Sequence, residues 1–239
     1  MVGLGGGVFF VPTLLLAFGV TAQKAVGISL VTMTFSTFSA ALAYARKGLI
    51  NYRLGLLLDV LDVPGVLLGA YITTLLDPSW LASLFGILLF FVAFRLLRKG
   101  DSEADPQASG RRIIGLPAKA VYISLMASFL SGLVAGMFGA GGGTVDESFM
   151  VLAIGVPALT AAATSEFGMA VTNFAAALSH GFLGNILWEY AIPLTLGAAI
   201  GGQIGPHISG RVKEKTLRRI LSAAFVLVGI RMLIFPYFH

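Results

Sequence analysis

The chain has 239 residues, 57% of them hydrophobic and 11% charged, with a formal net charge of +5, 30 glycines and no cysteine. Soluble domains carry about 25% charged residues, so a water-soluble globule is excluded, and without cysteine there are no disulfides, thiolate metal sites or thiol catalysis. The basic residues cluster in short loops instead of interleaving with aromatics along a face, which argues against nucleic acid and for orientation in a lipid bilayer.

In chain order, hydrophobic segments fall at 4–18, 22–46, 52–76, 79–98, 118–138, 141–155, 157–182, 188–210 and 214–236. Most approach the roughly 20 residues that cross a ~30 Å hydrocarbon core. The expected fold is therefore an all-α, polytopic helical membrane protein. The first apolar run lacks a positively charged start and leads into further spans, so it does not read as a cleavable signal. One stretch, RKGDSEADPQASGRR at 98–112, is too charged and too rich in Pro, Ser and Gly to sit in lipid. It divides the chain into a first membrane region, 1–98, a linker, 99–117, and a second membrane region, 118–239.

The two regions repeat. A shift of 136 residues lays GLGGGVFFVPTLLLAFGV (3–20) over GAGGGTVDESFMVLAIGV (139–156). Without a gap it also pairs Ser29 with Ser165, Gly48 with Gly184, Gly65 with Gly201, Gly69 with Gly205 and Arg95 with Arg231. The segment 120–138 precedes the second glycine cluster, and no counterpart precedes the first, so the first copy is expected to lack its leading helix. The loop at 46–53 carries Arg46, Lys47 and Arg53, whereas its equivalent at 182–189 carries only Glu189. Conversely, 75–80 has Asp77 and no base, while 211–219 holds Arg211, Lys213, Lys215, Arg218 and Arg219. Basic loops face the cytoplasm, so equivalent loops lie on opposite sides, the repeats are inverted, and the linker is cytoplasmic. Inverted repeats with broken helices are the ground plan of many secondary transporters, whose substrate site lies where the repeats meet.

Each GxGGG cluster is where a helix is expected to break. Glycine lets backbones turn and approach closely, and a helix that restarts after a break presents free N–H groups and the positive end of its dipole. Gly5, Gly6 and Gly7, with Gly141, Gly142 and Gly143, are thus expected to form a paired cradle for a small anion. Tight helix packing is the competing reading, and is the one expected for the GxxxG pairs Gly65/Gly69 and Gly201/Gly205. No Lys-Ser/Thr follows the glycines, so they are not a nucleotide loop.

These same stretches, GLGGGVFFVPTLLLAFGV and GMFGAGGG followed by LAIGVPALTAAATS, resemble the paired signatures of the TauE/SafE family of sulfite and organosulfonate exporters. The resemblance covers nearly the whole chain. It implies an ion-coupled permease for sulfur-containing anions in a bacterial or archaeal inner membrane. The family's apolar-Pro pair after the glycines is present as Val11-Pro12, but the second copy reads Glu147-Ser148.

Polar residues inside the spans supply the remaining candidates. The segment 160–180 places Glu166, Asn173 and His180 at seven-residue spacing on one helical stripe,. His180, near a span end, is expected at the interface. Thr164, Ser165 and Asn173, with Ser29 as the repeat partner of Ser165, could donate to sulfonate oxygens, although Ser and Thr often bond their own helix backbone. Asp59 and Asp62, one turn apart before Pro64, join Asp146, Glu147 and Glu166 as five acids at apparent membrane depth with no mid-span base. Low-dielectric surroundings favour a neutral carboxylic acid over a carboxylate, and intramembrane acids are functional candidates. They are expected to carry protons coupled to anion movement, unless Asp59, Asp146 or Glu147 caps a helix or lies at an interface. Neither HExxH nor a paired Ser and His at useful spacing is present, so no enzyme, cofactor or metal is expected. An anion channel of the same architecture is the alternative to a carrier, and homo-oligomerisation is compatible with either.

Overall fold

The computed structural model describes residues 6–98, 118–208 and 214–234. The linker 99–117, the basic positions 211–213 and Gly5 lie outside these described residues. The helices are α1 (Gly7–Phe18), α2 (Ala22–Arg46), α3 (Tyr52–Leu75), α4 (Pro78–Arg98), α5 (Ala118–Phe138), α6 (Gly143–Phe149), α7 (Ala158–Phe182), α8 (Trp188–Ile208) and α9 (Glu214–Ile234). A π-helical turn, Met150–Ile154, extends α6. Among the described residues there is no strand.

Local chemistry explains several boundaries. Asn51 caps α3 by accepting from the Leu54 N–H at 3.2 Å, satisfying one of the orphan donors of a helix start. Pro64 sits inside α3 and removes one helical donor, which frees a carbonyl one turn earlier beside Asp59 and Asp62. Gly19 and Gly155 end α1 and the π-helical turn with φ of 63° and 75°, a left-handed geometry that favours glycine,.

The chain is an all-helical membrane protein. By length and hydropathy, α2 and α3 each suffice to cross a bilayer, and Gly7–Phe18, Pro78–Phe94 and Tyr122–Phe138 are shorter apolar helices. Large apolar side chains such as Phe35, Phe38, Val60 and Leu196 point outward, while much of the buried core is alanine, including Ala25, Ala70, Ala93, Ala163 and Ala176. Small residues inside let helices approach closely, which is how helices associate when the surroundings are as apolar as their own side chains.

The 136-residue shift carries Gly7–Phe18 onto 143–154, α2 onto α7 and α4 onto α9, end to end, and the start of α3 onto the start of α8. It also carries the left-handed glycines Gly19 and Gly48 onto Gly155 and Gly184. Packing follows the same relation. Helix α2 lies against α7, α4 against α9, and the α3–α7 seam is matched by one between α8 and α2. The seam between α3 and α5 has no match among the described residues.

Four glycines make the α3–α5 seam. A Cβ on Gly65 or Gly69 would overlap the carbonyls of Phe129 and Leu133, and one on Gly132 or Gly136 would overlap those of Asp62 and Val66. The packing expected of Gly65/Gly69 is found here. Gly201, expected to pack likewise, instead faces open space. Its neighbour Gly202 turns towards α2, where a Cβ would lie 2.5 Å from the Ser36 carbonyl oxygen.

Candidate functional site

Helix α5 stops at Phe138, and Gly139 and Gly141 take φ of 61° and 73° before α6 starts at Gly143. Gly7, the first residue of α1, packs directly on this break. A Cβ there would overlap the Gly139 carbonyl and the Met33 sulfur. Gly143 is closed in the same way by Met169, with Ser165 Oγ 2.6 Å from a Cβ position. Met33 and Met169 are themselves 136 residues apart. The two glycine clusters, far apart in sequence, therefore meet.

Non-helical backbone at membrane depth must have its carbonyls satisfied from within. Here serines do it. Ser29 Oγ donates to the Gly139 carbonyl at 2.9 Å, Ser131 Oγ to that of Gly142 at 2.7 Å, and Ser165 Oγ to that of Gly143 at 2.8 Å. Ser29 and Ser165 are thus brought to the break as the sequence suggests, with their one proton each engaged by backbone in this conformation. Gly6 sits before α1 with φ of 80°. Gly142 is buried against Ser131, and Gly141 is half-buried.

Helix α7 distributes the remaining groups by face. Thr164 Oγ1 accepts from the Asn51 N–H at 3.0 Å, fixing the start of α3 to α7. A Cβ on Gly168 would lie 2.7 Å from Asp59 Oδ1, so this glycine makes room for the carboxyl. One turn further along α7, Thr172 reaches Asp62. Asp59, Asp62 and Asp146 are all buried, and Ser128 Oγ donates to Asp146 Oδ1 at 3.0 Å. Asp59 Oδ2 and Asp62 Oδ1 have no hydrogen-bond partner. Glu147, adjacent on α6, lies within electrostatic reach of Glu166 and Tyr44. Glu166 is half-buried. The five acids thus form two groups, and no set of three His, Cys, Asp or Glu suited to a metal ion occurs among the described residues.

Asn173 stands apart. It is 0% exposed, and neither its Nδ2 nor its Oδ1 has a partner. His180, expected at the interface, is equally buried. Its Nε2 lies 3.1 Å from the Gly136 carbonyl oxygen, and its Nδ1 lies 3.2 Å from Asn185 Nδ2. The cause is the turn after α7, which folds back so that the Asn185 N–H donates to the His180 carbonyl and the Asn185 carbonyl covers Gly27.

Sequence reasoning missed Asn51, Ser128, Ser131, Thr172 and Tyr44. Ser128 and Ser131 carried a signal, since they lie three residues apart on an otherwise apolar helix ahead of the break,. The arrangement as a whole is a closed polar seam in an apolar bundle, built from backbone, hydroxyl, amide and carboxyl groups. Of the Lys and Arg whose side chains are described, none enters it: Lys24 is half-buried, and Arg46, Lys47, Arg53, Arg219 and Arg231 are exposed.

Comparison with known proteins covers nearly the whole chain. The model of a family described as "Sulfite exporter TauE/SafE" matches residues 1–232. A "Probable membrane transporter protein YunE" from Bacillus subtilis is 30% identical over 249 residues, covering 98% of this chain and 91% of that protein. A "Probable membrane transporter protein" from Xylella fastidiosa is 25% identical over 236 residues, covering 98% and 88%. Another from Methanocaldococcus jannaschii is 25% identical over 250 residues, covering 97% and 89%. No solved structure matches.

Proposed function

Because the chain belongs to the sulfite exporter TauE/SafE family, we propose that it is a secondary transporter that moves sulfite, an organosulfonate or a related small sulfur anion across a bacterial or archaeal inner membrane, coupled to protons. The observation that carries this reading is the meeting of the two glycine breaks, with Gly7 against Gly139 where α1 and α6 begin. A helix start packed on the break that leads into a second helix start suits an anion, and broken backbone at membrane depth belongs beside a cavity or pathway. The matching element bounds and seams support two repeats, and the opposite charge of equivalent loops supports their opposite orientation, with 99–117 on the cytoplasmic side,. Asp59, Asp62 and Asp146 then carry protons on one flank of α7, and Glu147 with Glu166 forms the second acidic pair.

The test is sulfite efflux from proteoliposomes with and without an imposed proton gradient. A carrier gives saturable flux that follows the gradient, and Asp62→Asn should uncouple the two. Flux that rises linearly without saturation would replace the carrier with a channel, and no flux of any sulfur anion would remove the reading.

A further inference from the structure

Around the glycine break the serine hydroxyls are engaged, and the buried side-chain atoms left without a partner are Thr32 Oγ1, Asp59 Oδ2, Asp62 Oδ1 and both ends of the Asn173 amide. Ser29, Ser131 and Ser165 donate to break carbonyls, Thr164 accepts from Asn51, and Thr172 donates to the Gly168 carbonyl at 3.1 Å. Asn173 alone on this stretch of α7 keeps both ends of its amide without a partner while fully buried. Buried amides are ordinarily bonded, so an orphan of this kind marks a place for something else.

Its location follows from the helix geometry. Ser165 and Met169 face Gly143, and Asn173 is the next residue on that stripe, about one 5.4 Å turn further on. Helix α6 runs from Gly143 back towards the start of α7, because Met150 and Ile154 of its extension pack with Ala161, Leu54 and Leu58. Its axis therefore opens, at the N-terminal end, towards Asn173. The acids Asp59 and Asp62 occupy a different face of α7, at Gly168 and Thr172.

Resting on the transport reading above, the structure assigns Asn173 as the substrate-selecting residue, and we infer a substrate with at most one negative charge that carries a hydrogen-bond donor beside its acceptor oxygens. The amide offers two donors and an acceptor. A ligand with acceptors alone satisfies the Nδ2 hydrogens and leaves Oδ1 orphaned, whereas a ligand that also donates satisfies both ends. The charge limit has a separate origin. None of the Lys and Arg side chains whose burial is described (Lys24, Arg46, Lys47, Arg53, Arg219 and Arg231) is buried, so none of these offsets a second negative charge taken out of water. Hydrogen sulfite fits this description, as does a sulfonate with an amino or hydroxyl group next to the sulfur centre. Sulfate and simple alkyl sulfonates do not.

Three probes of fixed charge separate these requirements at a single neutral pH. Sulfamate is a monoanion with an N–H donor, methanesulfonate is a monoanion of nearly the same shape without one, and sulfate is a dianion. Their dissociation constants are measured on the purified full chain by isothermal titration, with sulfite as reference. Sites that pair a ligand donor discriminate strongly against analogues lacking it, so sulfamate should bind the wild type at least about tenfold more tightly than methanesulfonate, and sulfate should be weakest. In Asn173→Leu the preference for sulfamate over methanesulfonate should vanish, and Asn173→Ala, which likewise leaves no acceptor for the ligand's donor, should do the same if the leucine variant does not fold. Equal binding of sulfamate and methanesulfonate, tightest binding of sulfate, or a preference that survives both substitutions would overturn the inference while leaving an anion transporter in place. Binding of none of these anions, sulfite included, would overturn the proposed substrate class and this inference with it.

Discussion

Gly65 and Gly201 occupy the same position in the two repeats, yet the structure gives them opposite surroundings, and alanine at each should therefore act in opposite directions. A Cβ on Gly65 would overlap the Phe129 carbonyl and lie 3.0 Å from the Leu133 nitrogen. Both are helix backbone, which cannot rotate away, so α3 and α5 would have to separate. Overpacking of this kind costs about 1–3 kcal/mol. Against it stands a gain of up to about 1 kcal/mol from replacing glycine by alanine inside a helix. The net expectation for Gly65→Ala is a loss of roughly 1–2 kcal/mol, or about a five- to thirtyfold fall in the folding equilibrium constant. Gly201 has nothing within 4 Å of its Cβ position, so Gly201→Ala keeps only the propensity gain and should be neutral or stabilised by up to about 1 kcal/mol. Denaturant titration of both variants in the same detergent, with the wild type alongside, measures the difference. Once corrected for folded fraction, sulfite affinity should be unchanged in both, because neither site touches the glycine break. Equal destabilisation would mean that the α8 face is covered, and a neutral Gly65→Ala would mean that the α3–α5 seam is looser than the backbone distances imply.

Two further outcomes follow from particular contacts. His180→Ala removes the partner of the buried Gly136 carbonyl and opens a cavity between α5 and α7, so it should lower stability by about 2–4 kcal/mol in a thermal or denaturant melt; an unchanged midpoint would show that the imidazole is not part of the packed interior. Lys47→Cys and Leu183→Cys, at equivalent exposed positions after α2 and α7, should react with a membrane-impermeant thiol reagent from opposite sides of the membrane, and labelling of both from one side would remove the inverted arrangement.

How much of this was legible in the sequence depends on how local the cause is. The bounds of α2, α5 and α9 lie within about two residues of the expected apolar runs, because run length and terminal glycine or charge set them. The break between α5 and α6 was legible for the same reason, since three adjacent glycines cannot continue a helix cheaply. The apolar run at 141–155 divides into α6 and a π-helical turn at Met150, a change of hydrogen-bond register that leaves no mark in composition. The candidate site was legible as a set of residue types, and its partnerships were not. Whether Ser165 donates to an anion or to the Gly143 carbonyl depends on which oxygen the fold brings within about 3 Å. The burial of His180 was not legible, because it comes from the turn through Asn185, beyond the helix in which it sits. Gly201 was misread because the GxxxG spacing names a face without saying whether another helix covers it.

The repeat relation shows where the two halves stop being equivalent. Under the 136-residue shift, Asp59, Asp62, Asp146, Glu147 and Glu166 correspond to Thr195, Ala198, Phe10, Val11 and Leu30. Only Thr195 among these is polar, and its hydroxyl is buried without a partner, as is that of Thr32 on α2. The scaffold is thus duplicated, down to Gly7 with Met33 and Gly143 with Met169, while the carboxyl chemistry is confined to α3, α6 and α7. For a transporter this division has a physical sense. Two similar halves give outward-facing and inward-facing states comparable packing, so neither is favoured by a large gap and a modest ligand preference can shift the balance between them. Ion coupling needs the reverse. Under the proposed proton coupling, duplicate acid clusters would let protons load on either half independently of the substrate, whereas one set of acids on the flanks of α7 would tie protonation to the single site proposed at Asn173. Duplicated packing with one-sided carboxyls is thus the arrangement that the proposed coupled transport would draw on.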